Sequence, residues 1–174
     1  MNSIIAKRSI PAHWPLVQVV LASCFIGLCA QISIPLYYVP FTGQTFGVML
    51  VGATLGKRAG FFAALLYLLE GCAGCPVFAG GAGGLHCLLG PTGGYLIAYP
   101  LQAYGFGWLF ERTKRRMPLA MGIACGQLAM GTFWLIPFIG AKNSFLFGFY
   151  PFITIEAIKA LLVFSITSNE RRKK

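Results

Sequence analysis

The chain has 174 residues and a formal net charge of +10, with 57% hydrophobic and only 10% charged residues. Soluble domains carry roughly 25% charged residues, so an ordinary soluble protein is excluded, and the length suits one domain over residues 1–174. The basic residues sit in short clusters between apolar runs rather than on one face, which argues against a nucleic-acid partner and makes membrane lipid the expected surroundings.

Six apolar segments follow one another, at 15–34, 41–56, 59–75, 93–110, 119–138 and 150–167. Each is near the ~20 residues that cross a bilayer as a helix. Segment one carries Ser23-x-x-x-Gly27, small residues four apart that let another helix approach closely. The same spacing recurs at Gly56-x-x-x-Gly60 and Gly122-x-x-x-Gly126. Internal packing explains such pairs; Ser23 and Gly27 are also candidates for docking a partner protein. Segment two is short, about 16 residues or ~24 Å, and opens on Gln44 and Thr45. Their amide and hydroxyl can bond a solute or a neighbouring helix.

Segment three ends near Glu70 and runs into Gly71–Tyr95, which holds nine glycines and two prolines. Irregular backbone at membrane depth persists only where protein or a watery cavity satisfies its polar groups, and interrupted segments of this kind line solute sites in polytopic proteins. Gly80, Gly81, Gly83 and Gly84 allow close backbone approach. Phe78 and Tyr95 flank the stretch as candidates for a flat apolar ligand, with Ala79 and Thr92 beside them; Tyr37, Tyr38, Tyr67 and Tyr99 complete the aromatic set. Segment six places Glu156 and Lys159 three residues apart on one helix face. Charges inside a span are costly and are retained for pairing or function. Two readings stand: a structural ion pair, or the polar end of a ligand site.

Basic residues set the topology. Lys7 and Arg8, Lys57 and Arg58, Arg112 with Lys114–Arg116, and Arg171–Lys174 occupy alternate connections, while the intervening ones contain only Lys142. The positive-inside rule then gives six transmembrane helices with both termini cytoplasmic and a glycine-rich irregular loop between helices three and four. A signal peptide behind Lys7 and Arg8, or lipoprotein cleavage at Leu21–Cys24, also fits the N-terminus, but either cut breaks this alternation. Cys72-x-x-Cys75 with His86-Cys87 lacks the spacing of a standard zinc finger, so no metal is expected; a Cys72–Cys75 disulfide is a competing reading. The chain contains no GxxxxGK[ST] phosphate loop, no HExxH and no convincing nucleophile–base pair. An enzyme is not expected, and any ATP-driven work needs separate subunits.

Pro76-Val77-Phe78-Ala79-Gly80-Gly81-x-Gly83-Gly84 followed by Gly90-Pro91-Thr92-Gly93-Gly94-Tyr95 resembles the BioY family, the biotin-specific S components of energy-coupling factor transporters. Val39-Pro40-Phe41-Thr42-Gly43-Gln44-Thr45 looks like that family's VPxTxQT stretch, and Thr154–Ala160 fits its PGDxxKA pattern with Glu156 in place of Asp and Ile155 in place of Gly. The resemblance spans roughly residues 16–165. It implies an all-α, six-helix protein of the bacterial inner membrane that captures biotin from outside. It also implies docking, through Ser23 and Gly27, to a transmembrane coupling subunit energised by two ATPase subunits, with no cofactor of its own. Glu156 is then expected at the ureido N–H groups and Lys159 at the carboxylate or holding Glu156. Backbone at Ala79–Gly84 and Thr92 is expected at the remaining polar atoms, and Phe78 and Tyr95 at the rings. An S component for another vitamin and a structural or assembly membrane protein are the alternatives.

Overall fold

The computed structural model describes residues 14–36, 38–112 and 116–172. Lys7, Arg8, Tyr37, Lys114, Arg115, Lys173 and Lys174 lie outside the described residues, as do the side chains of Arg116, Arg171 and Arg172.

The fold is all-α apart from one two-residue strand pair. Helix α1 (Trp14–Gln31) leads into β1 (Ser33–Ile34), which pairs antiparallel with β2 (Phe41–Thr42) in the register Ser33↔Thr42 and Ile34↔Phe41. This hairpin turns the chain into α2 (Gln44–Leu55), and α3 (Lys57–Cys72) follows after Gly56. A 3₁₀ turn (Ala79–Gly81) and short helix α4 (Leu85–Leu89) punctuate the glycine-rich stretch. Helices α5 (Gly93–Ile97) and α6 (Tyr99–Arg112) join through Ala98, itself in helical backbone. After α7 (Arg116–Ile139) come α8 (Ala141–Ser144), a π turn (Phe145–Phe149) and α9 (Tyr150–Arg172). Among the described residues, Met117–Ile139 and Ala141–Thr167 are long and apolar enough to cross a membrane, and Leu16–Gln31 and Gln44–Leu55 are shorter apolar helices.

Small residues decide where helices cross. Helix α6 lies against both α2 and α3: a Cβ at Gly52 would collide with the Ala103 carbonyl, and one at Gly60 would sit 2.8 Å from Gly52 Cα. Gly122 and Gly126, by contrast, face open space. At the Lys57 end of α3, Glu111 closes the helix. Its Oε1 accepts from the Lys57 backbone N–H at 3.0 Å and its Oε2 pairs with the Lys57 ammonium at 3.1 Å, a carboxylate where the helix dipole favours one.

Polarity is distributed inside-out. Leu28 (70% exposed), Leu16 (68%) and Phe133 (63%) face outward, whereas Gln44, Thr45, Gln102, Gln127 and Glu156 are all buried. Apolar surface without, and buried amides and a carboxylate within, is the arrangement a lipid solvent selects. One apolar cluster joins α1, α2, α3 and α6 around Ile26, Val48, Tyr67 and Tyr99, and another joins Val39, Tyr95, Leu128, Leu135 and Phe152. Gln44, Thr45, Gln127 and Glu156, though not Gln102, lie where residues of these two clusters meet.

Candidate functional site

A cavity of about 140 Å³ lies at that junction, walled by the hairpin, α2, the glycine-rich stretch, α5, α7 and α9. Gln44, Thr45, Phe78, Ala79, Thr92, Tyr95, Glu156 and Lys159 all line it; Gly80, Gly81, Gly83 and Gly84 do not.

The charged wall comes from α9 and α2. Spacing of three residues stacks Lys159 on Glu156, whose Nζ–Oε1 distance is 2.8 Å with side chains 13% and 2% exposed. Lys159 also donates to Thr45 Oγ1 at 2.6 Å and to the Thr42 carbonyl at 2.9 Å. An ammonium has three hydrogens to donate, and these three acceptors use them all. Lys159 therefore holds Glu156, Thr45 and the Thr42 carbonyl together. Glu156 Oε1 accepts from Thr45 Oγ1 at 2.6 Å as well. Its other oxygen, Oε2, is buried and has no partner among the described residues. The result is a carboxylate neutralised and fixed through one oxygen, with the other buried and unsatisfied on a residue that lines the cavity.

Gln44, one residue before Thr45, faces a different network. Its Nε2 donates to Tyr67 Oη at 2.6 Å, and Tyr67 donates onward to the Val77 carbonyl at 3.1 Å. Its Oε1 accepts from Thr42 Oγ1 at 2.9 Å and Tyr99 Oη at 3.2 Å. This network pins the glycine-rich stretch. Gln31 of α1 adds a donor to the Phe78 carbonyl at 3.3 Å, and Gly84 N–H donates to the Gly71 carbonyl at 2.6 Å. The turn itself needs Gly80 (φ 66°) and Gly81 (φ 73°), both in the left-handed region that side chains resist. The four loop glycines thus shape the turn that presents Phe78 and Ala79, without reaching the cavity wall themselves.

The two aromatic walls rest on glycines. A Cβ at Gly71 would overlap the Phe78 ring, and one at Gly131 would overlap the Tyr95 ring. Phe78 also meets Tyr67 edge-on, with centroids 5.5 Å apart. The Tyr95 hydroxyl donates to the Gly148 carbonyl in the π turn at 2.8 Å, which leaves its ring as the cavity surface. On the far side of the loop, Trp134 Nε1 donates to the Gly90 carbonyl at 3.0 Å.

Thr42, Tyr99, Gln127 and Cys87 line the cavity without having been singled out for it from the sequence. A lone amide in the apolar run of segment five was the available signal for Gln127. All six cysteines are free thiols. Burial, and then the nearby Cys72 thiol, push the Cys87 thiol up from its ordinary value. Ser23 is fully buried and donates to Glu70 Oε1 at 3.0 Å. Gly27 faces Val77, 3.6 Å from where its Cβ would stand. The small-residue face of α1 is therefore turned into the chain, against α3 and the loop, and a partner reaching it would first have to part these elements.

The chain matches the BioY family over residues 5–173. It is 40% identical over 146 residues to a probable biotin transporter BioY of Pyrococcus horikoshii, covering 82% of this chain and 89% of that one. It is 39% identical over 156 residues to the biotin transporter BioY2 of Lactococcus lactis, covering 86% of each, and 40% identical over 152 residues to the biotin transporter BioY of Thermotoga maritima, covering 83% of this chain and 90% of that one. The fold superposes with a TM-score of 0.82 and 25% identity on a crystal structure of the S-component for biotin from an ECF-type ABC transporter, over 91% of both chains.

Proposed function

The chain belongs to the BioY family, and from that premise we propose that it takes biotin into the cavity and serves biotin uptake as the substrate-binding subunit of an energy-coupling factor transporter. The observation that carries the reading is Glu156, which lines an otherwise largely apolar slot and whose buried Oε2 has no partner among the described residues. A ureido N–H is the donor that such an oxygen lacks. Lys159 and Thr45 fix the carboxylate, Phe78 and Tyr95 face the fused rings, and Thr92 and Ala79 stand at the remaining polar atoms. The present volume, about 140 Å³, lies below the ~300 Å³ at which small-molecule sites begin. Ligand entry therefore widens the slot.

The protein acts as one six-span domain of the bacterial inner membrane, a binding and transport protein rather than an enzyme, with biotin as cargo and no cofactor. A reporter fused after Lys174 or inserted at 112–117 reads cytoplasm, and one near Lys142 reads outside; the opposite result at any site breaks the six-span topology. A coupling transmembrane subunit with two ATPase subunits supplies the energy, and docking through Ser23 and Gly27 requires α1 to separate from α3. The decisive experiment is purification from biotin-containing medium followed by mass spectrometry of the released small molecule. Biotin near one per chain is expected; another vitamin, or nothing, overturns the reading.

A further inference from the structure

We propose that Gln127 is a second ligand acceptor, so that Gln127 and Glu156 between them read both N–H groups of a cyclic urea and the site rejects ligands in which either N–H is blocked. This rests on the biotin reading and sharpens it. Gln127 is 4% exposed, lines the same cavity as Glu156, and its Oε1 has no hydrogen-bond partner. The amide orientation has a physical cause: Nε2 faces the Tyr95 carbonyl at 3.4 Å, and a carbonyl can only accept, so the donor end turns there and the acceptor end is left over. An unpartnered amide does not suffice by itself, because Gln102 is also buried with both amide atoms bare yet is absent from the cavity wall. Gln127 combines the two properties.

The pair also has suitable chemistry. Glu156 on α9 and Gln127 on α7 line one slot from different helices, and each carries a buried acceptor oxygen, Oε2 and Oε1, with no donor among the described residues. A cyclic urea carries its two N–H donors on opposite edges and would meet an acceptor on each. A site of this kind rejects an analogue lacking one N–H strongly, since a buried acceptor is then left bare. An apolar slot with a single acceptor would tolerate blocking of the other nitrogen.

The test uses purified protein and calorimetric titration with biotin and its two singly N-methylated ureido isomers. Wild-type protein is expected to bind biotin and to bind each isomer at least about tenfold more weakly. Gln127→Met keeps length but removes the acceptor. It should weaken biotin about tenfold, some 1.4 kcal/mol, while costing one isomer almost nothing further. Gln127→Asn, a milder change, should move both values in the same direction. If wild-type protein binds biotin but tolerates methylation of either nitrogen, or if Gln127→Met and Gln127→Asn leave biotin affinity within twofold, the Gln127 assignment is overturned and biotin binding stands. If wild-type protein does not bind biotin at all, the biotin reading falls and takes this inference with it. Should Gln127→Met lose its thermal transition, the wild-type isomer pair and Gln127→Asn still decide.

Discussion

Gln44 and Thr45 are neighbours in the chain and in the cavity wall, yet they belong to networks of opposite character. Thr45 joins Lys159 and Glu156 in a cluster where one carboxylate oxygen is saturated and the other is bare. Gln44 joins Tyr67, Tyr99 and the Val77 carbonyl in a cluster in which both amide atoms, both hydroxyls and the loop carbonyl are engaged. The first cluster leaves one acceptor unsatisfied among the described residues; the second is complete and its product is loop position. Burial is similar in the two, with Gln44 and Thr45 at 4% and 6% exposed, so burial does not separate a binding group from a scaffold group. Hydrogen-bond accounting at the cavity wall separates these two; Gln102, also buried with both amide atoms unpartnered, is absent from that wall.

The comparison breaks most sharply at Lys159. Lys159→Met leaves the Glu156 charge buried and uncompensated, and the loss should be about 3–5 kcal/mol of stability, read by thermal unfolding in detergent. Adding Glu156→Gln to that variant removes the stranded charge and should restore much of the stability while leaving biotin binding impaired. If the double variant binds normally, the cluster is scaffold after all. Tyr67→Phe tests the other side. It strands the Val77 carbonyl and one Gln44 donor, which should cost about 1–3 kcal/mol and speed hydrogen exchange across residues 73–84. A binding loss without faster exchange would place Tyr67 among ligand contacts instead.

How much of this could be read from the sequence follows from the same distinction. Glu156 and Lys159 stand out because ionised groups in an apolar run have few explanations, and the structure brings them together with Thr45 on one wall. The glycine-rich stretch was legible as irregular backbone. That Gln31 and Tyr67 hold the Phe78 and Val77 carbonyls was not, because those pairs are 47 and 10 residues apart and meet only once α1 and α3 pack. Gln127 is a neutral amide in a helix apolar on every side, so periodicity could not assign its face. Small-residue spacing at Ser23 and Gly27 signals close approach but not to what; here the neighbours are Glu70 and Val77 of the same chain. A Cβ at Gly122 or Gly126, with the same spacing, would meet nothing within 4 Å among the described residues.

The smallest expected effect lies far from both clusters, at the Glu111 cap. Burial alone would raise the Glu111 carboxyl; the Lys57 backbone N–H and ammonium, with Arg112, outweigh it and leave the value below the ordinary 4.5. A depressed carboxyl contributes stability above its unfolded value and loses it as pH falls through the folded one. At 40% side-chain exposure solvent screens the pair, so Glu111→Gln should cost no more than about 1 kcal/mol at neutral pH. The difference from wild type should shrink as pH falls below 4.5 and through the lowered folded value, without any change in ligand selectivity.

The rings of Phe78 and Tyr95 sit where Gly71 and Gly131 have no side chain, and this places the calibre of the cavity, the proposed binding slot, in residues that do not line it. A single methyl added at either glycine would push an aromatic wall inward. Two helix positions behind the walls thus act as spacers. Drift there would retune which ring systems are admitted while every contact residue remained the same.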